Sequence, residues 1–187
     1  MWKIEIEDCG NWIERDGRRQ FCLESGGRLR FTLPRSLPGL VHELCGHLTA
    51  PFQLLYVLHT SRGEGQLGRY QSPELSRPEL DQFFLRFGDL LAADGRHDLW
   101  IRSAASGDMI VWDRRNDVYV YGAHSVVELL AAHGFEEGPL EPLGLHQLHY
   151  RAEFDGAARD LLATFRWTRT GLQPDDEQFV PPVVNDP

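Results

Sequence analysis

The sequence predicts an α+β fold with a largely antiparallel sheet, and three observations carry that prediction. Short runs that alternate apolar and polar residues gather near the N-terminus and again in the middle of the chain, the period-2 signature of half-buried strands. Between and after them stand runs with apolar residues at i, i+3, i+4 and i+7, the signature of amphipathic helices. Strand-rich and helix-rich stretches are grouped instead of alternating one by one, which points to α+β and away from a parallel sheet.

The elements follow in chain order. Trp2, Ile4 and Ile6 alternate with charged residues and predict a first strand. Asp16-Gly17 lies between two strand-like runs, a strong short hairpin signal. Ser25-Gly26-Gly27 then turns the chain into a run where Leu29, Phe31 and Leu33 alternate. The first 35 residues thus read as an antiparallel meander, closed by Pro34 and Pro38, with a short helix over about 38–48. The apolar run 51–60 reads as a strand, because Gly- and Pro-bearing sequence follows it.

The clearest helix comes next. Ser76 and Glu79 form a capping box, Leu80, Phe83, Phe84, Phe87, Leu90 and Leu91 recur at helical spacing, and Asp94-Gly95 ends the run. DLWIRS, MIVW and VYVYG then predict a central three-strand meander. Ser125 and Glu128 open a helix that Gly134 closes, and Asp155 is placed to cap a further one over about 156–167. Three or four helices therefore pack with two meanders. Residues 1–173 read as a single domain and 174–187, with acidic and proline composition, as an extended or disordered tail.

Composition narrows the function classes. A chain of 187 residues is long enough to bury a single substantial core, about 70% of its unfolded surface. No apolar run approaches the ~20 residues of a membrane-spanning helix and the N-terminus lacks a signal-peptide pattern, so no membrane partner and a cytoplasmic location are expected. Cys9, Cys22 and Cys45 are odd in number and lack CxxC spacing, which fits neither a disulfide framework nor a zinc knuckle. The net charge of −9 is uneven: residues 1–95 hold 11 basic and 13 acidic residues, residues 96–187 hold 8 and 15. That balance repels phosphate backbones, so nucleic acid is not expected and a basic protein partner is. A single lysine, Lys3, among 19 basic residues fits a GC-rich genome and is given no function.

Several motifs promise chemistry, and spacing decides each. His42-Glu43 begins like a zinc-protease helix, but the second histidine, His47, follows at i+5 instead of i+4. Rings five residues apart on a helix point roughly 140° from one another, so no zinc site is expected. Gly63, Gly65 and Gly68 spell GxGxxG, but residues 70–73 separate them from the next helix and Glu64 puts a negative charge inside the loop. A dinucleotide site needs the helix N-terminus at the loop, so a mobile surface loop without cofactor is expected. His146 and His149 have i, i+3 spacing with Glu153 as the nearest third ligand. Asp108, Asp113 and Asp117 flank turns, where aspartate is favoured for local backbone hydrogen bonds. No nucleophile elbow and no P-loop occur.

The least ordinary feature is the central meander. With regular alternation, Leu99, Ile101, Met109, Val111, Val118 and Val120 share one side. The other carries Ile110 and a candidate binding face of Trp100, Arg102, Trp112, Tyr119 and Tyr121. Amphipathic rings with an arginine are favoured at binding hot spots; the competing reading is that helices cover both faces and the aromatics are core. In bulk and charge the chain is similar to small acidic α+β immunity proteins that neutralise bacterial toxins, a similarity to which no motif is attached. The reading is a non-catalytic protein-binding module, immunity- or adaptor-like, without cofactor or metal. Its alternative is a small-molecule-binding protein or enzyme with a pocket of scattered His, Asp and Arg residues.

Overall fold

The computed structural model describes residues 2–122 and 125–176. Among them are twelve strands and four helices. β1 (Ile4–Asp8) and β2 (Asn11–Glu14) form a hairpin whose turn residues, Cys9 and Gly10, have φ of 50° and 84°. Two consecutive positive φ values give the turn the twist that paired strands require. The hairpin belongs with β11 (His146–Leu148) in a three-stranded sheet of order β11-β1-β2.

β3 (Gln20–Leu23) and β4 (Leu29–Thr32) lie instead in a separate nine-stranded sheet. The N-terminal strands therefore divide between two sheets, a correction to the continuous meander. Asp16-Gly17 is the crossing point and not a two-residue hairpin turn. A Cβ on Gly17 would stand 2.1 Å from the carbonyl oxygen of Thr32, so only glycine lets the linker pass β4. The Asp16 carboxylate accepts the Arg35 backbone N–H at 2.7 Å and fixes the crossing.

The nine-stranded sheet continues through β5 (Phe52–Leu58), β6 (Gly68–Gln71), β7 (His97–Ser103), β8 (Met109–Trp112) and β9 (Asp117–Tyr121). β10 (Glu136–Glu137) and β12 (Thr168–Thr170) complete the order β10-β3-β4-β9-β8-β7-β5-β6-β12. Only the β10–β3 pair is parallel. The class is α+β, as the sequence predicts, and the central meander forms as β7-β8-β9.

α1 (Leu40–Leu44) is a single turn that tightens into a 3₁₀ turn at 45–47. α2 (Arg77–Ala93) starts at its capping box, the Glu79 carboxylate accepting the Ser76 backbone N–H at 2.7 Å. α3 (Val126–Ala132) follows Ser125, but that hydroxyl bonds His47 Nδ1 at 2.7 Å and does not cap the helix. α4 (Asp155–Thr164) stops three residues short of the sequence expectation, because the chain leaves at Phe165 to build β12.

The core lies on one face of the nine-stranded sheet. Phe31, Leu54, Tyr56, Leu99, Ile101, Ile110, Trp112 and Val118 pack there with Leu80, Phe83, Phe87 and Leu91 of α2, Leu44 of α1, Leu130 of α3 and Leu161 of α4. Each large side chain so buried stabilises the fold by ~1.5–3 kcal/mol. The described helices supply apolar residues to this inner face and not to the opposite, outer one.

A buried ionic cluster ties the ends of the chain to the middle. Arg96, fully buried, makes a two-pronged contact with Asp94 at 2.8 Å per bond and also reaches Glu64, Asp155 and the Arg151 carbonyl at 3.0–3.1 Å. Lys3 is equally buried; its ammonium donates to the Leu91 carbonyl and sits 4.5 Å from the centre of the Trp112 ring. Burial lowers its pKa to about 8, and the carboxylates of Asp113, Asp98, Asp94 and Asp117 act in the opposite sense.

Candidate functional site

The register decides which residues share the outer face. Directly opposed residues of an antiparallel pair point the same way. Trp100 opposes Val111, Arg102 opposes Met109, and these oppose Tyr119 and Tyr121 in turn. Trp112 opposes Leu99 and Val118, so it lies on the inner face. Its indole N–H donates to Asn116 at 2.9 Å and the residue is 2% exposed. This corrects the sequence assignment: the irregular turns before and after β8 shift its phase by one residue. Trp112 and Ile110 become core, while Met109 and Val111 move outward.

The remaining four candidates are not one surface. Tyr119 is 5% exposed and lies beneath the guanidinium groups of Arg28 and Arg30, 5.1 and 5.4 Å from its ring centre. Arg28 also donates to the Tyr121 hydroxyl at 3.3 Å. Arg30 pairs with Asp117 at 3.0 Å and Arg28 with Glu24. This end of the face is closed by its own cations, and burial raises the Tyr119 phenol.

Trp100 and Arg102 stand at the other end, in a groove of about 430 Å³. Its floor crosses five strands: Thr168 and Thr170 of β12, Arg69 and Gln71 of β6, Gln53 and Leu55 of β5, Trp100 and Arg102 of β7, and Met109 of β8. The Arg69 guanidinium lies 5.7 Å from the Trp100 ring centre. The same group donates to the Gln173 side chain and pairs with Asp176 at 3.2 Å, so the rim is made by the chain that follows β12. The Trp100 indole N–H is buried and has no hydrogen-bond partner. Arg102 is exposed, and no carboxylate of the described residues pairs with it. The groove offers the Trp100 ring, the guanidinium groups of Arg69 and Arg102, and side-chain amides.

The other candidates have structural roles. Gly63, Gly65 and Gly68 sit in a loop with its own anchors: Glu64 reaches buried Arg96 at 3.1 Å and the Ser61 hydroxyl donates to the Gly65 carbonyl at 2.7 Å. A Cβ on Gly65 would meet Leu162 at 2.6 Å and one on Gly68 the Thr170 carbonyl at 2.4 Å. The glycines let α4 and β12 approach. His42 bonds Asp81 at 2.8 Å while His47 bonds Ser125, so their rings are engaged apart. His146 bonds the Gly144 carbonyl and His149 pairs with Glu5. His146 opens β11 and His149 follows its last residue, and the two rings are engaged by different partners.

The aspartates are equally occupied. Asp113 accepts the backbone N–H groups of Arg115 and Asp117 at 2.8 Å, and burial beside Asp117 and Asp98 pushes its pKa up to about 7. Asp117 pairs with Arg15 and Arg30 and accepts the Thr32 hydroxyl, while Asp108 bonds Ser106 in an exposed turn. All three cysteines are free; buried Cys45 has its thiol pushed up to about 12, far from thiolate chemistry. Among the described residues no group of three His, Cys, Asp or Glu side chains is placed to hold a metal ion. No helix of the described residues is long and apolar enough to cross a membrane.

Comparison of the chain with protein-family models, with curated proteins and with solved structures returns no match.

Sequence reasoning placed Trp100 and Arg102 but missed Arg69, Gln71, Thr168 and Thr170. The alternation of Arg69, Tyr70 and Gln71 after Gly68 carries a strand signal, but it is only three residues long and adjoins a glycine-rich run. β12 has only three residues and no apolar one, so it left no pattern to read.

Proposed function

We propose that the chain is a non-catalytic protein-binding module whose binding surface is the groove on the outer face of the nine-stranded sheet. One observation carries the reading: every helix packs on the inner face, and Trp100 is left on the outer one with an unpartnered indole N–H beside Arg69 and Arg102. Aromatic and arginine anchors in a partly desolvated recess are what concentrate binding energy. The local charge sets the partner. The whole chain is acidic, which suggests a basic partner, but the groove floor carries Arg102, with which no carboxylate of the described residues pairs, beside Arg69, which Asp176 at the rim pairs with at 3.2 Å. An acidic, apolar-bearing peptide segment complements it better.

The test is photo-crosslinking from position 102 in native lysate, with Trp100→Ala and Arg102→Glu as controls. Crosslinks to acidic segments, lost in both variants while the melting temperature holds, support the reading. Crosslinking that persists unchanged in Trp100→Ala and Arg102→Glu sinks it.

A second reading rests on Trp2. Its indole N–H is also buried without a partner, and the residue lines a pocket of about 620 Å³ with Asp16, Arg35, Asp89 and Glu153. A hydrogen-bond-accepting small molecule would satisfy that donor. A thermal-shift screen in which hits are lost on Trp2→Phe favours this reading over the module.

A further inference from the structure

We infer that the free edge of β2, in the three-stranded sheet, accepts an extended basic peptide as a fourth strand. This surface is separate from the outer-face groove and takes a partner of the opposite charge.

The hydrogen-bond register shows which main-chain groups are open. The Arg15 N–H donates to the Ile4 carbonyl at 3.0 Å, and the N–H groups of Glu7 and His149 donate to the Leu145 and Lys3 carbonyls at 3.0 and 2.9 Å. Even-numbered residues of β1 therefore bond β2 and odd-numbered ones bond β11. In β2 the main-chain groups of Asn11 and Ile13 are spent on β1, while the N–H and C=O of Trp12 and Glu14 point away from it. β2 ends its sheet, and among the described residues no hydrogen bond reaches those groups.

The side chains around this edge say what it would take. Trp12 and Ile13 are nearly half exposed and stand on opposite faces of the strand. Trp12 shares its face with Glu14 and, across the ladder, with Glu7 and Glu5. Glu14 pairs with Arg35 at 2.7 Å, and Glu5 is held by Gln147 and His149. Glu7 accepts only the Gly10 backbone N–H, and among the described residues no cation pairs with it or with Asp8 at the turn. Residues 177–187, most of the acidic tail, lie outside the described residues, so this negative charge is the small sheet's own. A second copy would bring its own Glu5, Glu7 and Glu14 to the seam, on a chain of net charge −9. The charge selects a basic chain instead.

The geometry then fixes the pattern of that chain. An added antiparallel strand exchanges main-chain hydrogen bonds with Trp12 and Glu14 and sends its side chains alternately to the two faces. The residue between those two pairs stands against Ile13 and is apolar. The residue facing Trp12 is basic: its stem lies along the indole and its head points toward Glu7, which is one strand further in, about 10 Å from the added strand. The main chain supplies affinity, and the alternation of basic and apolar residues supplies selection.

The probe is a synthetic peptide of alternating arginine and valine, added to the full chain and followed by nitrogen-15 NMR. Strand addition predicts that the Trp12 and Glu14 amide signals shift and exchange more slowly with water, while the Trp100 indole signal stays. The peptide groups that meet β2 belong to the arginines. N-methylation of the arginines should therefore abolish binding, and N-methylation of the valines should leave it nearly unchanged. Glu7→Gln should weaken binding several-fold without moving the melting temperature, and so should a peptide with all its arginines placed before its valines.

Equal binding of the two N-methylated peptides overturns strand addition, and equal binding of the block peptide reduces the effect to charge alone and overturns it too. No response at Trp12 and Glu14 at millimolar peptide has the same consequence. Shifts there that grow with protein concentration before any peptide is added would assign the edge to a second copy and overturn the inference. None of these results touches the groove, which is read at Trp100; a response confined to Trp100 would move the basic peptide there and sink both the edge and the acidic partner proposed for the groove.

Discussion

The two faces of the nine-stranded sheet are built from the same strands and alternate residue by residue, yet they solve different problems. On the inner face Leu99, Ile101, Ile110 and Val118 meet four helices, and nearly every residue there is buried. On the outer face Val57 and Val111 are just as inaccessible, but neither belongs to the helix-packed core. Val111 lies between Trp100 and Tyr119, which flank it across the ladder. Among the described residues the outer floor is kept dry without a layer of helices, by long side chains from neighbouring strands lying beside short ones. The lesson is that burial alone does not identify core: what matters is which element does the burying.

The largest expected effects lie where that distinction is sharpest. Arg96→Met should cost ~3–5 kcal/mol in chemical denaturation, because it leaves Asp94 and Glu64 buried without their cation. Trp112→Ala on the inner face should cost a similar ~3–5 kcal/mol, against no more than ~2 kcal/mol for Trp100→Ala on the outer face. Equal losses for the two tryptophans would break the comparison.

The tyrosines divide the outer face itself. Tyr119→Ser should lose about 2–3 kcal/mol, since the ring is buried beneath Arg28 and Arg30, whereas Tyr121→Ser should lose clearly less. Urea midpoints of the single variants decide this, and a larger loss at Tyr121 would reverse the assignment.

A pH series probes the inner face from another side. His97 is buried against the Tyr56 ring, 4.9 Å between centres, and burial holds its pKa well below the ordinary histidine value. Its folded pKa lies below its unfolded one, so its contribution is complete above pH ~6.5 and is lost as the pH falls below that value. His97→Phe should therefore flatten the decline in stability between pH 7 and pH 5 relative to the unmodified chain. Asp113 acts with the opposite sign. Its folded pKa of about 7 exceeds the ordinary aspartate value, so its protonation favours the fold as pH falls from 7 toward 4. Parallel stability curves for the unmodified chain and His97→Phe would show that the imidazole does not need to stay neutral.

The smallest effect belongs to the groove rim. Arg102→Ala should change stability by no more than ~0.5 kcal/mol, because the side chain is exposed and no carboxylate of the described residues pairs with it. A loss of several kcal/mol in thermal denaturation would mean that Arg102 holds the fold and not a partner.

Much of the fold was legible in the sequence because its signals are local. The α2 capping box needs only Ser76 and Glu79, and the β7, β8 and β9 strands each carry their own alternation. What was illegible depends on contacts far apart in sequence. Gly17 is required by Thr32, and Ser125 is drawn from its helix by His47. The phase of β8, which placed Trp112 on the wrong face, is set by the turns at 104–108 and 113–116. There, residues such as Asn116, with φ of 65°, absorb the irregularity that simple counting ignores. The groove was half legible: Trp100 and Arg102 stood out, but its second wall is built by residues 168–173, more than sixty positions away.

The two ends of the long sheet carry a different consequence. β10 is two glutamates and β12 is Thr-Arg-Thr, both exposed, and these short strands end the sheet, with Cys22 and Leu23 of β3 extending past β10. A free edge is a template on which another chain can polymerise, and short, charged or polar edges deny it the length and the apolar grip to do so. The edge strand β2 lacks this protection, presenting Trp12 and Ile13 at 45% and 44% exposure. In a crowded solution the short polar strands β10 and β12 give fibre growth little to grip at the ends of the long sheet, and the longer apolar edge of β2 is the better template for unwanted aggregation.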